Sequence, residues 1–492
     1  MSTISFQLSA TSPGPRIGTL RLTRPDGTVL SLKTPGIVTA TSRGVVPHLS
    51  PDLCAQTKAV RWVHVAFESF LDHDPPVPTL LTGQNRALAR FLGHPHSAIL
   101  SLSLRDPGDI RTMPPNGDAH VSANCIRGVR KVTPENWRSY GQSCDPDIIF
   151  ALTDTPFTPP PYSQKRLTKS VERSLAWVAD ILRSDSPARN VFVQMAGGTE
   201  PAARAAFSEG LGARLYDKEA EAVKPLKTLD EGVAGYSIDL GPLRTTLGDR
   251  LLHHSKLAAV LVPDTIETAD LTQSTEALIK LVGASLQSLP QSRPRLVNSC
   301  TGPHEILKIV KDVGADLFDA AWAQRAADIG IAMEFHFPVP DHHRDGADKL
   351  AIGYNLYDHV YAHDFRSLCE TDSATVLSTP LQHSSVDSPP TMIPASPFTR
   401  AYLHHLLHTH EMSSHALLTA HNLSVLAAFF AGIQGIVSSD SERVLFAKEV
   451  EVFCDVYDVS SVLFDEALKA WAGVELARGK GRLGREKVVG AE

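Results

Sequence analysis

Six histidines crowd residues 399–422, near the C-terminal end of the sequence: His404, His405, His408, His410, His415 and His421. Histidine on a helix is a frequent metal ligand. The leucines and alanines of this stretch recur at spacings of three and four, which predicts an amphipathic helix pair with a break near residues 413–414. Most histidines in such a pattern cap helices or face solvent, so by itself the pattern predicts helices rather than a metal site.

Thiolate chemistry has weaker support in the sequence. The six cysteines, Cys54, Cys125, Cys144, Cys300, Cys369 and Cys454, form no C-x-x-C pair. This scatter predicts a reducing compartment and no disulfide framework.

Eight short β-rich runs could position functional groups, and most are followed by a helical pattern. They cover residues 36–41, 61–71, 98–104, 147–153, 190–196, 232–240, 294–299 and 316–322. Most are nearly continuous apolar runs, as expected of parallel strands buried on both faces. The order predicts an α/β fold, a (β/α)8 TIM-type barrel. A doubly wound sheet is the alternative, but no G-x-G-x-x-G follows the first strand. Residues 18–32 alternate around Pro25-Asp26-Gly27 and predict an N-terminal β-hairpin.

Composition is that of an ordinary globular protein, with 492 residues, 42% hydrophobic, 21% charged and a net charge of −7. The charge excludes a global basic field, so any RNA contact must come from local patches. No apolar run is expected to span a membrane. Residues 378–397 form a Ser/Pro/Thr-rich loop predicted to be disordered. The basic tail at 478–487 is either a frayed terminus or a phosphate-contacting arm.

The sequence resembles the queuine/guanine tRNA-ribosyltransferases, or tRNA-guanine transglycosylases, from about residue 16 to residue 422. The resemblance rests on TRAYLHHL with the later HN at 421–422, SVERSLAW at 170–177, PHEIL at 303–307 and VGADLFD at 313–319. Each motif is weak alone, but their common order and spacing are specific. CIRGVRKVTPENW at 125–137 and KPLKTLDEGVAGY at 224–236 are similar to the family's non-catalytic eukaryotic branch.

The resemblance implies a base exchange at the wobble position of tRNA, with an Asp attacking the ribose C1′. The nucleophile position falls on Asp319. The second Asp falls on Leu102 and the base-reading Asp on Leu152, with Asp154 two residues away on the same strand face.

The other base-contacting positions are altered too. The family's pocket Gln falls on Ala196, with Gln194 two residues away, and two glycines are replaced by Asp239 and Leu240. We therefore expect Asp319 to be a relic nucleophile position in a non-catalytic protein. The alternative is an active transglycosylase that uses Asp319 with Asp154 or Asp106.

The resemblance also implies an RNA-binding residue. Arg325 matches the first arginine of the family's active-site loop, while Asp328 replaces the second arginine. An acid there would repel a phosphate.

A zinc site is implied by the resemblance, with three cysteines and the His at position 421 as ligands. The cysteine positions 390, 392 and 395 hold Pro390, Met392 and Ala395. His421 remains, with Cys369 as a displaced thiolate. Further imidazoles could come from the set His359, His363, His404 and His405. We expect weak or substoichiometric zinc.

As the resemblance implies, the chain is expected to act as an accessory subunit in a heterodimer with the catalytic subunit of queuine tRNA-ribosyltransferase, on tRNA, or as a homodimer without that partner. A free-standing RNA- or queuine-handling protein is the third possibility. The expected location is cytoplasmic, with peripheral attachment to the mitochondrial outer membrane left open. The predicted regions are a hairpin (1–35), a barrel (36–354), a zinc-subdomain-like insertion (355–422) with a low-complexity loop (370–397), C-terminal helices (423–475) and a basic tail (476–492).

Overall fold

A computed structural model of the chain describes residues 2–9, 14–81, 85–111, 113–155, 161–185, 190–247, 268–344, 346, 348–368, 398–439 and 444–479. The strands are β1 (Thr3–Leu8), β2 (Gly18–Thr23), β3 (Val29–Thr34), β4 (Gly36–Ala40), β5 (Trp62–Ala66), β6 (Ile99–Ser103), β7 (Val121–Cys125), β8 (Gly128–Val132), β9 (Ile148–Phe150), β10 (Val191–Gln194), β11 (Val233–Asp239), β12 (Arg295–Asn298), β13 (Leu317–Asp319), β14 (Ile331–Met333) and β15 (Gly353–Asn355).

The helices are α1 (Pro51–Gln56), α2 (Ala87–Leu92), α3 (Pro134–Cys144), α4 (Gln164–Ile181), α5 (Pro201–Gly212), α6 (Asp217–Ala222), α7 (Leu240–Leu247), α8 (Thr268–Leu286), α9 (Pro303–Val313), α10 (Ala321–Asp328), α11 (Asp341–Arg344), α12 (Arg400–His408), α13 (Ser413–Ser439), α14 (Val444–Val456) and α15 (Ser460–Gly479). A short 3-10 turn, His359–Tyr361, follows β15.

Eight parallel strands close the barrel in chain order: β4, β5, β6, β9, β10, β11, β12 and β13, with β13 pairing back onto β4. Each lies within one of the eight runs expected from the sequence, so the (β/α)8 prediction is confirmed. The strands read as apolar runs because one face fills the barrel and the other packs on the helices. The antiparallel pairs β7–β8 and β14–β15 lie outside the barrel, and the sequence patterns did not reveal them.

A three-stranded antiparallel sheet, β1–β2–β3, covers the N-terminal end of the barrel. Leu20, Leu22 and Leu32 of this cap sheet pack against side chains inside the barrel, such as Trp62 and Ile148. The cap sheet is also joined to the barrel by two buried ion pairs. Arg16 Nε donates to Asp316 Oδ1 over 2.8 Å, and Arg24 Nε donates to Asp147 Oδ1 over 2.9 Å. The predicted hairpin is β2–β3; β1, at the very start of the chain, was not expected.

The predicted helix pair is α12 and α13, with the break at residues 409–412 rather than at 413–414. Thr399 caps α12, because its side chain accepts a hydrogen bond from the Tyr402 N–H. Helix α13 is long and apolar enough to cross a membrane by length and composition, with a mean hydropathy of 1.7, so the expectation that no run has this length is wrong. However, 61% of that apolar stretch is buried inside the protein, as in the core helix of a globular fold.

Some expectations concern residues outside the described ranges. Cys369, the low-complexity loop at 370–397 and the tail beyond Gly479 are among them. The regional boundaries proposed from the sequence stay predictions.

Candidate active site and metal centre

Side chains at the C-terminal ends of the strands line the barrel mouth, where TIM-type barrels hold their active sites. On β5, His64 Nδ1 lies 2.8 Å from Ser101 Oγ and its Nε2 lies 2.9 Å from Ser103 Oγ. The ring also packs edge-on against Phe150. Ser101 and Ser103 of β6 therefore face inward. Because strand side chains alternate, Leu102 faces the helices instead. Leu102, the position matched to the second acid, therefore lies on the outer face of β6, and the adjacent Ser103 lies on the inner face.

Asp319, at the end of β13, is buried in the mouth. Its Oδ2 accepts a hydrogen bond from the Ser299 N–H over 2.7 Å, whereas Oδ1 has no partner among the residues that the structure describes. Burial, together with the negative charges of Asp106 and Asp239, raises the pKa of Asp319 to about 7 despite the Ser299 hydrogen bond. The raised pKa favours the protonated form of this carboxyl relative to an ordinary aspartate, which is unfavourable for a nucleophile.

A polar network surrounds the second buried acid, Asp239 at the end of β11. Asn298 Nδ2 donates to Asp239 Oδ1 over 2.7 Å, and the Gln194 side-chain amide donates to Oδ2. Burial raises the pKa of Asp239 to about 6, although the hydrogen bonds from Asn298 and Ser237 lower it. Gln194 was noted from the sequence as lying two residues from the family's pocket position. The substitution at Asp239 was read only as a lost glycine, not as a new polar group.

The cleft at the mouth is small and partly apolar. Gln194 and Asp239 line it together with Leu152, Phe150 and Leu104. Its cavity volume is about 30 Å³, room for one or two water molecules. Leu152, at the position matched by sequence to the family's base-reading acid, presents an alkyl side chain to this cleft.

Asp154 is fully buried and held by surrounding groups. Arg166 donates to both of its carboxylate oxygens over 2.8 and 2.9 Å, and Arg173 adds a contact of 3.2 Å. Asn116 Nδ2 donates to Oδ1 over 2.8 Å. With these partners the carboxylate links α4 to the loop before β7. It is therefore the centre of a structural ion-pair cluster rather than a free acid.

Glu68, just beyond β5, is a buried carboxyl that the sequence reading missed. Burial raises its pKa to about 8, and the charges of Asp109 and Asp106 act in the same direction. Its Oε1 accepts the Asp106 N–H over 3.1 Å. The neighbouring Arg105 donates to the Ser122 carbonyl over 2.7 Å and to Asn116. The sequence feature that could have identified Glu68 is its position directly after an apolar strand, at the end of the barrel where functional groups lie.

Arg325 lies half-buried on α10, and burial lowers its pKa. In the described part of the chain its guanidinium has no hydrogen-bonded acceptor. Asp328, expected to repel phosphate, lies 2.6 Å from His48 Nε2, so a neighbouring imidazole offsets part of its charge when protonated. The RNA contact of Arg325 stays a prediction.

The residues present do not fit the family's Cys3His zinc site. His421 is buried, and its Nε2 donates to the Met333 carbonyl over 2.9 Å. Burial lowers its pKa to about 4, so the ring is neutral. Next to it, the Asn422 amide donates to the Ala323 and Ile331 carbonyls and accepts the Met333 N–H. Both residues therefore fasten α13 to β14. Cys369 lies outside the described residues, and the sequence has no cysteine at 390, 392 or 395.

A different histidine group lies nearby. One ring nitrogen from each of His359, His404 and His408 lies within 4.8 Å of the other two. His421 is not a member, nor is the exposed His405. His359 and His404 were considered from the sequence only as extra ligands around His421. The signal that could have found the group is the H-x-x-x-H spacing of His404 and His408, which places both on one helix face.

Comparison with known proteins places these features in context. The sequence profile of a family described as "Queuine tRNA-ribosyltransferase" matches residues 12–223 and 255–451. Similar proteins include the "Queuine tRNA-ribosyltransferase accessory subunit 2" of Schizosaccharomyces pombe, 24% identical over 87% of this chain and 79% of that protein. The Xenopus tropicalis protein of the same name is 25% identical over 88% of this chain and 95% of its own. The Homo sapiens one is 23% identical over 83% and 90%.

Proposed function

Because the chain belongs to the queuine tRNA-ribosyltransferase family, we propose that it is the non-catalytic accessory subunit of a heterodimeric queuine tRNA-ribosyltransferase. The enzyme exchanges guanine for queuine at the wobble position of tRNAs with GUN anticodons, and so takes part in queuosine modification. The names of the similar proteins support the accessory role and a catalytic partner.

The composition of the barrel mouth carries the non-catalytic part of the proposal. Base exchange needs an ionised carboxylate nucleophile, a second acid for proton transfer and polar groups that read the purine. Here burial raises the pKa of Asp319 to about 7, Asp154 is bound by two arginines, and Leu152 lines the cleft. Each purine polar group left unpaired against a leucine costs about 1–3 kcal/mol, so guanine would bind poorly.

The chain's contribution in this proposal is positioning. Arg325 contacts a tRNA phosphate, and the barrel presents a second surface along the RNA while the partner performs the exchange. Phosphate contacts set the register of a nucleic acid on a protein without reading its sequence. An accessory subunit can therefore keep this role after its pocket is lost.

One observation supports a second candidate function, an active transglycosylase with a rewired mouth. Asp319 Oδ1 has no partner in the described chain, and Asp239 and Asp106 affect its pKa. Such perturbed carboxyl groups also occur at catalytic sites. In this function Asp319 would attack the ribose, and Asp106 or Asp239 would handle the proton; Asp154 is too firmly bound.

Exchange of labelled guanine into tRNA tests these alternatives. The assay compares the isolated chain, the catalytic partner and the heterodimer, each with wild-type or Asp319→Ala chain. We expect no exchange by the isolated chain and nearly unchanged exchange by the Asp319→Ala heterodimer. Loss of exchange in a variant heterodimer that still forms would overturn the non-catalytic proposal.

Assembly and location belong to the same proposal. Co-purification with the catalytic subunit separates an accessory subunit from a free-standing RNA- or queuine-handling protein, and a homodimer is the expected state of the chain alone. We propose a cytoplasmic location. Recovery of the complex with mitochondria, released by salt or alkaline wash, would instead indicate peripheral binding to the outer membrane.

A further inference from the structure

Three histidines converge where the segment after β15 meets α12. His404 and His408 are one helical turn apart, with ring centroids separated by 4.2 Å. His359, at the start of the 3-10 turn, stacks on His408 with 5.3 Å between ring centroids and lies 5.8 Å from His404. One nitrogen of each ring lies within 4.8 Å of the other two. Metal coordination would draw such nitrogens closer, to about 3.5 Å apart for Zn–N bonds of roughly 2.0–2.1 Å.

Backbone carbonyls fix the protonated nitrogen on two of these rings. His404 Nδ1 lies 2.9 Å from the Leu356 carbonyl, and His408 Nε2 lies 3.2 Å from the Tyr357 carbonyl. A carbonyl oxygen only accepts, so both nitrogens donate, and the lone pairs are left on His404 Nε2 and His408 Nδ1. Metal-binding imidazoles are oriented in this way, with the second nitrogen donating to a backbone carbonyl or carboxylate.

We propose that His359, His404 and His408 bind a divalent transition metal ion, with zinc as the expected ion. Imidazole ligands suit zinc, copper and nickel, and three histidines leave an open coordination position for water. His404 is buried, His408 is half-buried and His359 is exposed, so the site has protein on one side and an entry from solvent on the other. This site shares no ligand with the Cys3His pattern and does not involve His421.

The arrangement of the rings favours a bound ion. The buried ring of His404 is held by the Leu356 carbonyl and packs against the rings of His408 and His359, so the three imidazoles are already held close together in the absence of an ion. A bound ion would join the segment before residues 369–397 to the helix after them, and so fix both ends of that stretch on one centre.

Metal binding by the full-length chain tests the proposal. Protein is stripped with chelator, dialysed and titrated with zinc by calorimetry, and with Co²⁺ by visible absorption, which reports tetrahedral nitrogen ligation. We expect one tight site per chain. His359→Gln removes an exposed ligand and should weaken zinc binding at least roughly 100-fold while the circular dichroism spectrum stays unchanged. His408→Gln should do the same.

Two variants serve as controls. His405→Gln lies on the same helix, outside the group and exposed, and should bind zinc like the wild type. His421→Ala should also keep the site. Zinc binding that is absent in the wild type, or unchanged in His359→Gln, overturns the proposal. So does binding that His421→Ala abolishes while the fold remains intact. None of these readouts depends on base exchange, so the result stands apart from the proposed function.

Discussion

Replacing Asp319 by Asn should stabilise the isolated chain, and the effect should depend on pH. Folding raises the pKa of this carboxyl from 3.8 to about 7. The folded state thus holds the proton more tightly than the unfolded chain, so the free energy of unfolding falls as pH rises between these two values and is level above them. At about 1.4 kcal/mol per pKa unit, ionising Asp319 costs about 4 kcal/mol of stability at pH 8.

Asparagine keeps the shape and accepts the Ser299 N–H, but it carries no charge. Its amide N–H would face the position where Oδ1 lacks a partner in the described chain, and an unpaired donor costs about 1–3 kcal/mol. The protonated wild-type carboxyl already carries a similar unpaired donor, so this cost cancels, and the net gain of Asp319→Asn at pH 8 should equal the ionisation cost of about 4 kcal/mol. It should vanish near pH 4, where the wild-type carboxyl is protonated and carries a similar unpaired donor.

Urea unfolding followed by tryptophan fluorescence, at several pH values between 4 and 8, measures this difference. Asp147→Asn is the matched control, because its carboxylate is paired with the buried Arg24 at 2.7 Å. Breaking that pair should destabilise the chain by about 3–5 kcal/mol. An Asp319→Asn variant that is less stable than wild type at pH 8, or equally stabilised at every pH, would refute the reasoning about the barrel mouth.

Three further predictions concern assembly, RNA and packing. Tyr402 on α12 and Phe365 before it are large exposed apolar side chains and are candidates for the partner interface; replacing both by Glu should abolish co-purification with the catalytic subunit while the circular dichroism spectrum is kept, and a surviving heterodimer would place the interface elsewhere. Arg325→Glu should weaken tRNA binding by the complex and lower the salt-dependence slope by about one, and an unchanged slope would exclude a phosphate contact. Asn422→Ala removes the partner of the Met333 N–H and one hydrogen bond each to the Ala323 and Ile331 carbonyls, and it should lower the free energy of unfolding by about 2–4 kcal/mol, measured by urea titration.

The barrel could be predicted because its signal is local and repeated eight times. A parallel strand buried on both faces is an apolar run, and its side chains alternate whatever the surrounding loops do. The direction of individual side chains at the strand ends was harder to predict. Leu102 and Ser103 are adjacent on β6. Matching a sequence motif to a strand can be wrong by one residue, and that is enough to assign the wrong one of the two to the barrel interior. That error exchanges the inward and outward faces.

The ion pairs and polar clusters depend on contacts between distant parts of the chain, which no spacing rule reveals. Asp154 reads as a candidate acid until Arg166, Arg173 and Asn116 are seen around it. Glu68 and Asp239 acquire their raised pKa values from burial, a property of the completed barrel. The group of His359, His404 and His408 is hard to recognise from the sequence, because His359 joins the H-x-x-x-H pair from a separate segment.

The two arginines on either side of β2 also constrain how the protein is made. Arg16 and its partner Asp316 are 300 residues apart, and Arg24 and Asp147 are 123 apart. At roughly 5–20 residues per second, the ribosome needs about 15–60 s to supply Asp316 after Arg16 has been synthesised. During that time the apolar face formed by Leu20, Leu22 and Leu32 is exposed, because the barrel against which it packs is not yet complete. The nascent chain should therefore be a chaperone client until β13 emerges, and mutations that weaken the cap sheet should lower the yield of folded protein more than they lower its stability once folded.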